Sequence, residues 1–204
     1  MEALNSEILY TTDYIEALPE GERAELIDGR IYYMASPTRT HQQLLGYLFR
    51  KIADYIDEQG GDCEVNLAPF AVYLNNDNKT YVEPDIVVVC DRDKLDDKGC
   101  HGAPDWVIEI LSPSSMKMDC ERKVKLYRDA GVREYWIVDP EKETVSVYDF
   151  GHGKITWNAG TYTAGTCAAA PETRDEPMHY SFSERIKAGI FENLYLHLSE
   201  MDFL

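Results

Sequence analysis

Val82-Glu83-Pro84-Asp85-Ile86-Val87-Val88-Val89 reads as a turn feeding a short, β-branched, fully apolar strand, the pattern of a strand buried on both faces of a sheet. Asp85 stands at the mouth of that strand. Pro84 has a fixed φ and no N–H to donate, which suits the first position of a strand and stiffens the backbone carrying the acid. A turn-ending aspartate would look the same, so Asp85 alone decides nothing. Trp106-Val107-Ile108-Glu109-Ile110-Leu111 is a second apolar run, bounded by Pro104 and Pro113, with Glu109 embedded in it. An unpaired buried carboxylate is too costly to keep, so Glu109 requires an ionic partner, a proton or a bound cation. A cation is favoured over a structural ion pair.

Ser112-Pro113-Ser114-Ser115 opens a helix expected to run to about Ala130 and to stop at Gly131, with serines at one end and glycine at the other. At about 100° per residue, Met116, Cys120, Val124 and Tyr127 share one arc, and Asp119, Lys123 and Ala130 fall within or beside it. Lys123 is therefore expected to face the sheet, while Lys117, Glu121, Lys125 and Arg128 face water. An i,i+4 pair with Asp119 explains the spacing of Lys123 but not its inward direction. Glu134-Tyr135-Trp136-Ile137-Val138-Asp139-Pro140 reads as a third strand and Thr144-Val145-Ser146-Val147-Tyr148 as a fourth. Strand, strand, helix, strand is the skeleton of a small α/β core.

Four pieces of this region together carry a resemblance: Pro84-Asp85, then Glu109-Ile110-Leu111-Ser112-Pro113-Ser114, then Asp119-x3-Lys123-x3-Tyr127, then Gly131-Val132-x-Glu134-Tyr135-Trp136-Ile137-Val138-Asp139-Pro140. The chain resembles, from about Tyr14 to Tyr148, the bacterial family of putative restriction endonucleases within the PD-(D/E)XK nuclease superfamily. The resemblance implies an α/β (α+β) fold, a restriction-endonuclease-like mixed central sheet flanked by helices, with a site for a divalent metal. The superfamily pattern places lysine two residues after the second acid, where this chain has Leu111. In this family the lysine looks to have moved to the next helix, and Lys123 is the matching position.

The remaining chain is read around that centre. With 204 residues, no Pro/Gly/Ser-rich linker and no repeat, it suggests one domain over 1–204, with its core at about 14–150 and C-terminal strands and a helix in 151–204. No signal peptide or membrane-length apolar run is apparent. The five cysteines (63, 90, 100, 120, 167) include no C-x-x-C and read as reduced core thiols of a cytoplasmic protein. The net charge of −17 argues against non-specific binding to a polyanion. Residues 117–133 run against that trend: Lys117, Arg122, Lys123, Lys125, Arg128 and Arg133 outnumber Asp119, Glu121 and Asp129.

Thr11-Thr12-Asp13-Tyr14 caps a first short helix, and Glu25 to Met34 forms a hairpin around Asp28-Gly29. Glu25 shares a face with Ile27 and, by the resemblance, lies near the metal site. It stands as an extra ligand, a partner for Lys123, or a surface glutamate. A long helix is expected over Thr38 to Glu58, with His41 on the side of Leu44, Leu45, Leu48, Ile52, Tyr55 and Ile56. His41 matches a histidine common in the family, which suggests contact with phosphate or a metal-held water; a packed or capping histidine is the plainer reading. Strands follow at Glu64–Ala68 and Phe70–Leu74, then a mobile charged loop at Asp91–Gly102. Past Tyr148 come a turn at Gly151-His152-Gly153, a strand at Ile155–Trp157, and a closing strand and short helix over Phe182–Ile186 and Phe191–Leu196.

The expected chemistry is phosphodiester hydrolysis dependent on Mg²⁺ or Mn²⁺. Asp85, Glu109 and the Ile110 carbonyl would hold the ion, and Lys123 would orient the attacking water or stabilise developing charge. Lys123→Ala is expected to abolish hydrolysis while sparing the fold. DNA is the expected nucleic acid, and a homodimer follows by analogy with restriction-type nucleases. The competing reading is a binding or regulatory module that keeps the fold without cleavage, motivated by the acidity.

Overall fold

In the computed structural model, which describes residues 8–75, 77–113, 115–151 and 176–201, the chain begins with α1 (Thr12–Glu16) and a hairpin of β1 (Ala24–Ile27) and β2 (Arg30–Tyr33). Asp28 and Gly29 have φ of 52° and 76°, the paired positive values that let a two-residue turn follow the twist of its strands. The helix α2 (Arg39–Gln59) starts where the Thr38 side chain accepts the His41 N–H and ends at Gly60 in the left-handed region. Then come β3 (Glu64–Leu67), β4 (Val72–Tyr73), β5 (Ile86–Val89), β6 (Leu95–Asp96), β7 (Gly99–His101) and β8 (Trp106–Ile110). After α3 (Val124–Ala130) the chain adds β9 (Glu134–Asp139), β10 (Thr144–Asp149), β11 (Met178–Ser181), β12 (Ile186–Lys187) and β13 (Tyr195–Leu196).

Among the described residues, six strands form the central sheet in the order β11-β10-β9-β8-β5-β3. Only β8 and β9 run parallel; the other neighbours are antiparallel, so the sheet is mixed, as expected. Alternation along β5, β8 and β9 splits their apolar residues between two faces. Ile86, Val88, Trp106, Ile108, Ile110, Trp136 and Val138 share one buried cluster with Leu44, Leu48 and Ile52 of α2. Val87, Val89, Val107, Tyr135 and Ile137 share the other with Tyr127 of α3 and Ile27 of β1. Both faces are covered, which is why these strands read as continuous apolar runs.

Three expectations are corrected. Residues 91–102 do not form a mobile connection: β6 and β7 pair there, and β7 runs parallel to β4 in a second small sheet. Gly99 permits it, with φ of 145° and a position where any Cβ would lie 2.2 Å from the Ala71 carbonyl oxygen. Gly99→Ala is accordingly expected to cost at least about 2 kcal/mol in denaturant unfolding, because backbone meets backbone and neither can yield as a side chain does. Phe191–Leu196 is not helical; Tyr195 and Leu196 pair with β12, and a short 3₁₀ turn follows at Leu198–Glu200. Apolar residues at 191, 194 and 196 fit either period, and pairing decided. The turn at 151–153 and the strand at 155–157 lie outside the described residues, apart from Gly151.

The third correction concerns the thiols. Cys63 and Cys90 form a disulfide, while Cys100 is a free, buried thiol. The register explains the bridge: Glu64 pairs with Val89 at the end of β3 and β5, so Cys63 and Cys90 are the next residues on each strand and come face to face. Spacing along the chain does not reveal that register. The argument from reduced thiols to a cytoplasmic location falls with it. Among the described residues, no helix is long and apolar enough to cross a membrane.

Candidate active site

The site starts from strand register. Ile86 of β5 lies opposite Ile108 of β8, so one step further Asp85 comes opposite Glu109, with both side chains on the same face. Asp85 Oδ2 accepts the Ile110 N–H at 2.7 Å, and the Asp85 N–H donates toward Glu109 Oε2 at 3.4 Å. Two acids 24 residues apart in sequence are thereby locked together through backbone.

Lys123 closes the site from the helix side. Its Nζ donates to Glu109 Oε1 at 2.8 Å and to Glu25 Oε1 at 2.9 Å, and stands 3.4 Å from Asp119 Oδ1. The Tyr127 hydroxyl donates to the same Glu109 oxygen at 3.0 Å. Glu25 also accepts the Glu83 N–H at 3.1 Å, which anchors it to the segment leading into β5. Glu25, Glu109, Asp119 and Lys123 are all at most 5 % exposed. Glu25 is thus the partner of Lys123, one of the roles open to it, and not a surface glutamate.

The helix carrying Lys123 departs from ideal geometry. Met118–Lys123 forms a π-helical turn before α3, and the fully buried row runs Asp119, Lys123, Tyr127, with Met116, Cys120 and Val124 only half-buried. An even 100° rotation predicted the reverse weighting. The i→i+5 bonding of a π-turn widens the helix locally and turns residues four apart toward the same side, so a cation and a phenol meet Glu109 and an acid meets the cation.

Electrostatics in the cluster are lopsided. Burial, reinforced by Asp119, Asp85 and Glu25, holds the Glu109 carboxyl well above its usual range although Lys123 pulls it down. Burial likewise raises Asp119. For Lys123 burial works toward loss of charge, but Glu109, Glu25 and Asp119 outweigh it and hold the ammonium well above its ordinary value. One cation is shared among three buried carboxylates with Asp85 close by, so the acids outnumber the positive charge that could balance them. His41, mostly buried, places Nε2 3.1 Å from Asp85 Oδ2. Its contact is with Asp85, an acid of the site, and its burial fits a packed histidine as well.

These residues floor a cleft of about 590 Å³ lined by Asp85, Glu109, Ile110 and Lys123 below and by Tyr32, Tyr33, Met34, Pro37 and Met118 along a wall. Among the described residues, no three His, Cys, Asp or Glu side chains could hold a metal by themselves. Two carboxylates and a carbonyl remain, a sparse oxygen set that suits an ion keeping most of its water, as Mg²⁺ does. His41 and the Ile110 N–H occupy Asp85 Oδ2, and Lys123 and Tyr127 occupy Glu109 Oε1. Of these two acids, Asp85 Oδ1 and Glu109 Oε2 keep spare acceptor capacity, and the surplus of acids over cations favours a cation beside them.

A mixed sheet with one acid before β5, a second inside β8 and an inward lysine on the next helix defines the restriction-endonuclease-like class of nuclease folds. A solved structure with this fold is "a putative nuclease belonging to DUF820 from Anabaena variabilis ATCC 29413", with a TM-score of 0.63, 22 % identity, and coverage of 94 % of this chain and 92 % of that one. Residues 11–166 match the family Uma2, "Putative restriction endonuclease", and the chain belongs to that family. It is also 28 % identical over 128 residues to "Uncharacterized protein slr1290" of Synechocystis sp. (strain ATCC 27184 / PCC 6803 / Kazusa), a match covering 62 % of this chain and 66 % of that protein, just under two thirds.

Asp85, Glu109, Lys123, Ile110, Glu25 and His41 all come together in the structure. Two members of the cluster had no role assigned from sequence beyond spacing: Asp119, the third carboxylate on Lys123, and Tyr127, the hydroxyl on Glu109. The signal was there in Asp119-x3-Lys123-x3-Tyr127, a run of equal steps that a π-turn converts into one inward row.

Proposed function

We propose that this chain is an endonuclease that hydrolyses phosphodiester bonds in DNA with the help of Mg²⁺ or Mn²⁺. The observation that carries the reading is Asp85 opposite Glu109 across β5 and β8, with Lys123 Nζ 2.8 Å from Glu109 at the floor of an open cleft. Asp85, Glu109 and the Ile110 carbonyl would hold the ion. When bound, it supplies Lewis-acid charge that acidifies a water and neutralises a phosphate. His41 fixes Asp85 through Oδ2, and Oδ1 would be the oxygen that holds the ion. Tyr127 and Lys123 do the same for Glu109 through Oε1. Lys123 further presents an ammonium, held charged by its carboxylates, toward charge that develops on the phosphate.

The test is incubation of supercoiled plasmid and linear duplex and single-stranded DNA with Mg²⁺, with Mn²⁺, or with EDTA. Cleavage with either ion and none with EDTA is expected. Cleavage that persists in EDTA contradicts the metal requirement. Intact DNA throughout, from protein that binds Mn²⁺, favours the non-catalytic module.

A further inference from the structure

Among the described residues, the cleft has almost no positive charge to offer a duplex. Among its lining residues the basic ones are Arg23 and Lys123. Arg23 is paired with Glu83 at 2.6 Å, and Lys123 is enclosed by Glu25, Glu109 and Asp119. Double-stranded DNA presents a charge for about every 1.7 Å of axis and is held chiefly by lysine and arginine on phosphates. A chain of net charge −17 with both cleft cations engaged is poorly suited to that.

It does offer aromatic surface. Tyr32 and Tyr33 line the cleft from β2, and Tyr33 is 61 % exposed. The Tyr33 hydroxyl meets that of Tyr14 at 3.0 Å, and the Tyr14 and Tyr10 ring centroids are 4.6 Å apart. Tyr33, Tyr14 and Tyr10 therefore stand in contact in series from the cleft lip. The exposed Arg122 lies 5.5 Å over the Tyr32 ring and bonds its hydroxyl. Rings that accept bases on their faces, with an arginine alongside, are how single strands are held without many phosphate contacts. A volume of about 590 Å³ is that of a small-ligand pocket and suits one or two splayed nucleotides.

We propose that the substrate of this cleft is an unpaired DNA strand, whose bases stack on Tyr33 and along Tyr14 and Tyr10 while its backbone crosses Asp85 and Glu109. The inference rests on the nuclease reading for its substrate chemistry, but its test needs no cleavage.

Binding is read by fluorescence anisotropy in EDTA with three labelled probes of equal length: a single strand, the same strand made wholly abasic, and the duplex. The wild type is expected to bind the base-bearing strand at least about tenfold more tightly than either other probe, within the range of about five- to a hundredfold expected of one stacked base. Tyr33→Ala is expected to lose most of that preference and Tyr33→Phe, which keeps the ring, to retain it. Circular dichroism confirms the fold of both variants. Equal binding of duplex and single strand, or a preference that survives Tyr33→Ala, overturns the proposal. So does hydrolysis of bis(p-nitrophenyl) phosphate with no binding of any probe, which would indicate a small phosphodiester substrate. Single-strand preference without any hydrolysis leaves the proposal standing and removes the nuclease reading. Metal-dependent cleavage with equal binding of all probes does the opposite.

Discussion

Glu109→Gln will abolish Mn²⁺ binding and lower DNA hydrolysis by at least about a thousandfold, about 4 kcal/mol of transition-state stabilisation. The fold will persist. The Glu109 carboxyl is almost wholly buried and held above its usual range, so an isosteric amide removes a charge that the interior tolerates poorly. The amide oxygen can still accept from Lys123 and Tyr127, as Oε1 does at 2.8 and 3.0 Å. What is lost is the 3.4 Å contact of Oε2 with the Asp85 N–H, a weak bond worth about 1 kcal/mol. Calorimetric titration with Mn²⁺ reports the ligand role independently of any substrate. In the wild type, affinity should fall as pH is lowered, because ion and proton compete for a carboxylate whose pKa is raised. Unchanged Mn²⁺ affinity in the variant would reduce Glu109 to a structural partner of Lys123.

Lys123→Ala is expected to lose activity and stability together, which revises the sequence-based expectation that it would spare the fold. Lys123 is 4 % exposed and is the cation within 4 Å of Glu25, Glu109 and Asp119. Truncating it strands three buried carboxylates, a loss of about 3–5 kcal/mol and a fall in Tm on the order of 10 °C. The pH dependence has a definite sign. In the wild type the raised Lys123 pKa contributes stability that is present below the ordinary lysine value and is lost only as pH rises far into the alkaline range, so this contribution is flat from about pH 6 to 9. In the variant, Glu109 and Asp119 lose the ammonium that lowered their pKa values and rise further above the usual carboxylate range. A raised carboxyl stabilises the fold below its ordinary pKa and loses that contribution as pH rises through the folded value. Metal-free Lys123→Ala should therefore melt higher at about pH 5 than at about pH 8. Equal melting temperatures at both would mean that the three acids are relieved in some other way. Activity is compared well below the variant's Tm, so that any loss is read on folded protein.

Much of this is legible in the amino-acid sequence. The apolar runs at 86–89, 106–110 and 134–138 announce strands buried on both faces because, Glu109 and Glu134 apart, β-branched and aromatic residues fill them. A carboxylate inside such a run announces itself by the cost of burying it, which is why Glu109 stood out while Asp85 did not. The inward lysine was visible through helical phase, though its row was misplaced, since Met118–Lys123 winds as a π-turn that no period of 3.6 anticipates. Glu25 and His41 were left open for a plainer reason. Each is a common residue in a common position, and only the approach of β1 and α2 to the sheet shows that one meets Lys123 and the other Asp85.

Local chemistry thus determined the strands, the helices, the Asp28-Gly29 turn and the chief candidates for the site, because propensity, caps and hydrophobic period act over a few residues and are written in order along the chain. Register and contact between distant segments belonged to the tertiary structure alone. It set Asp85 against Glu109, brought Cys63 to Cys90, drew Glu25 to Lys123 from 98 residues away, and ordered residues 91–102 against β4. Those pairings are chosen by the packing of the whole core, in which a one-residue slip would turn every buried side chain to the wrong face, and no short stretch of sequence carries that constraint.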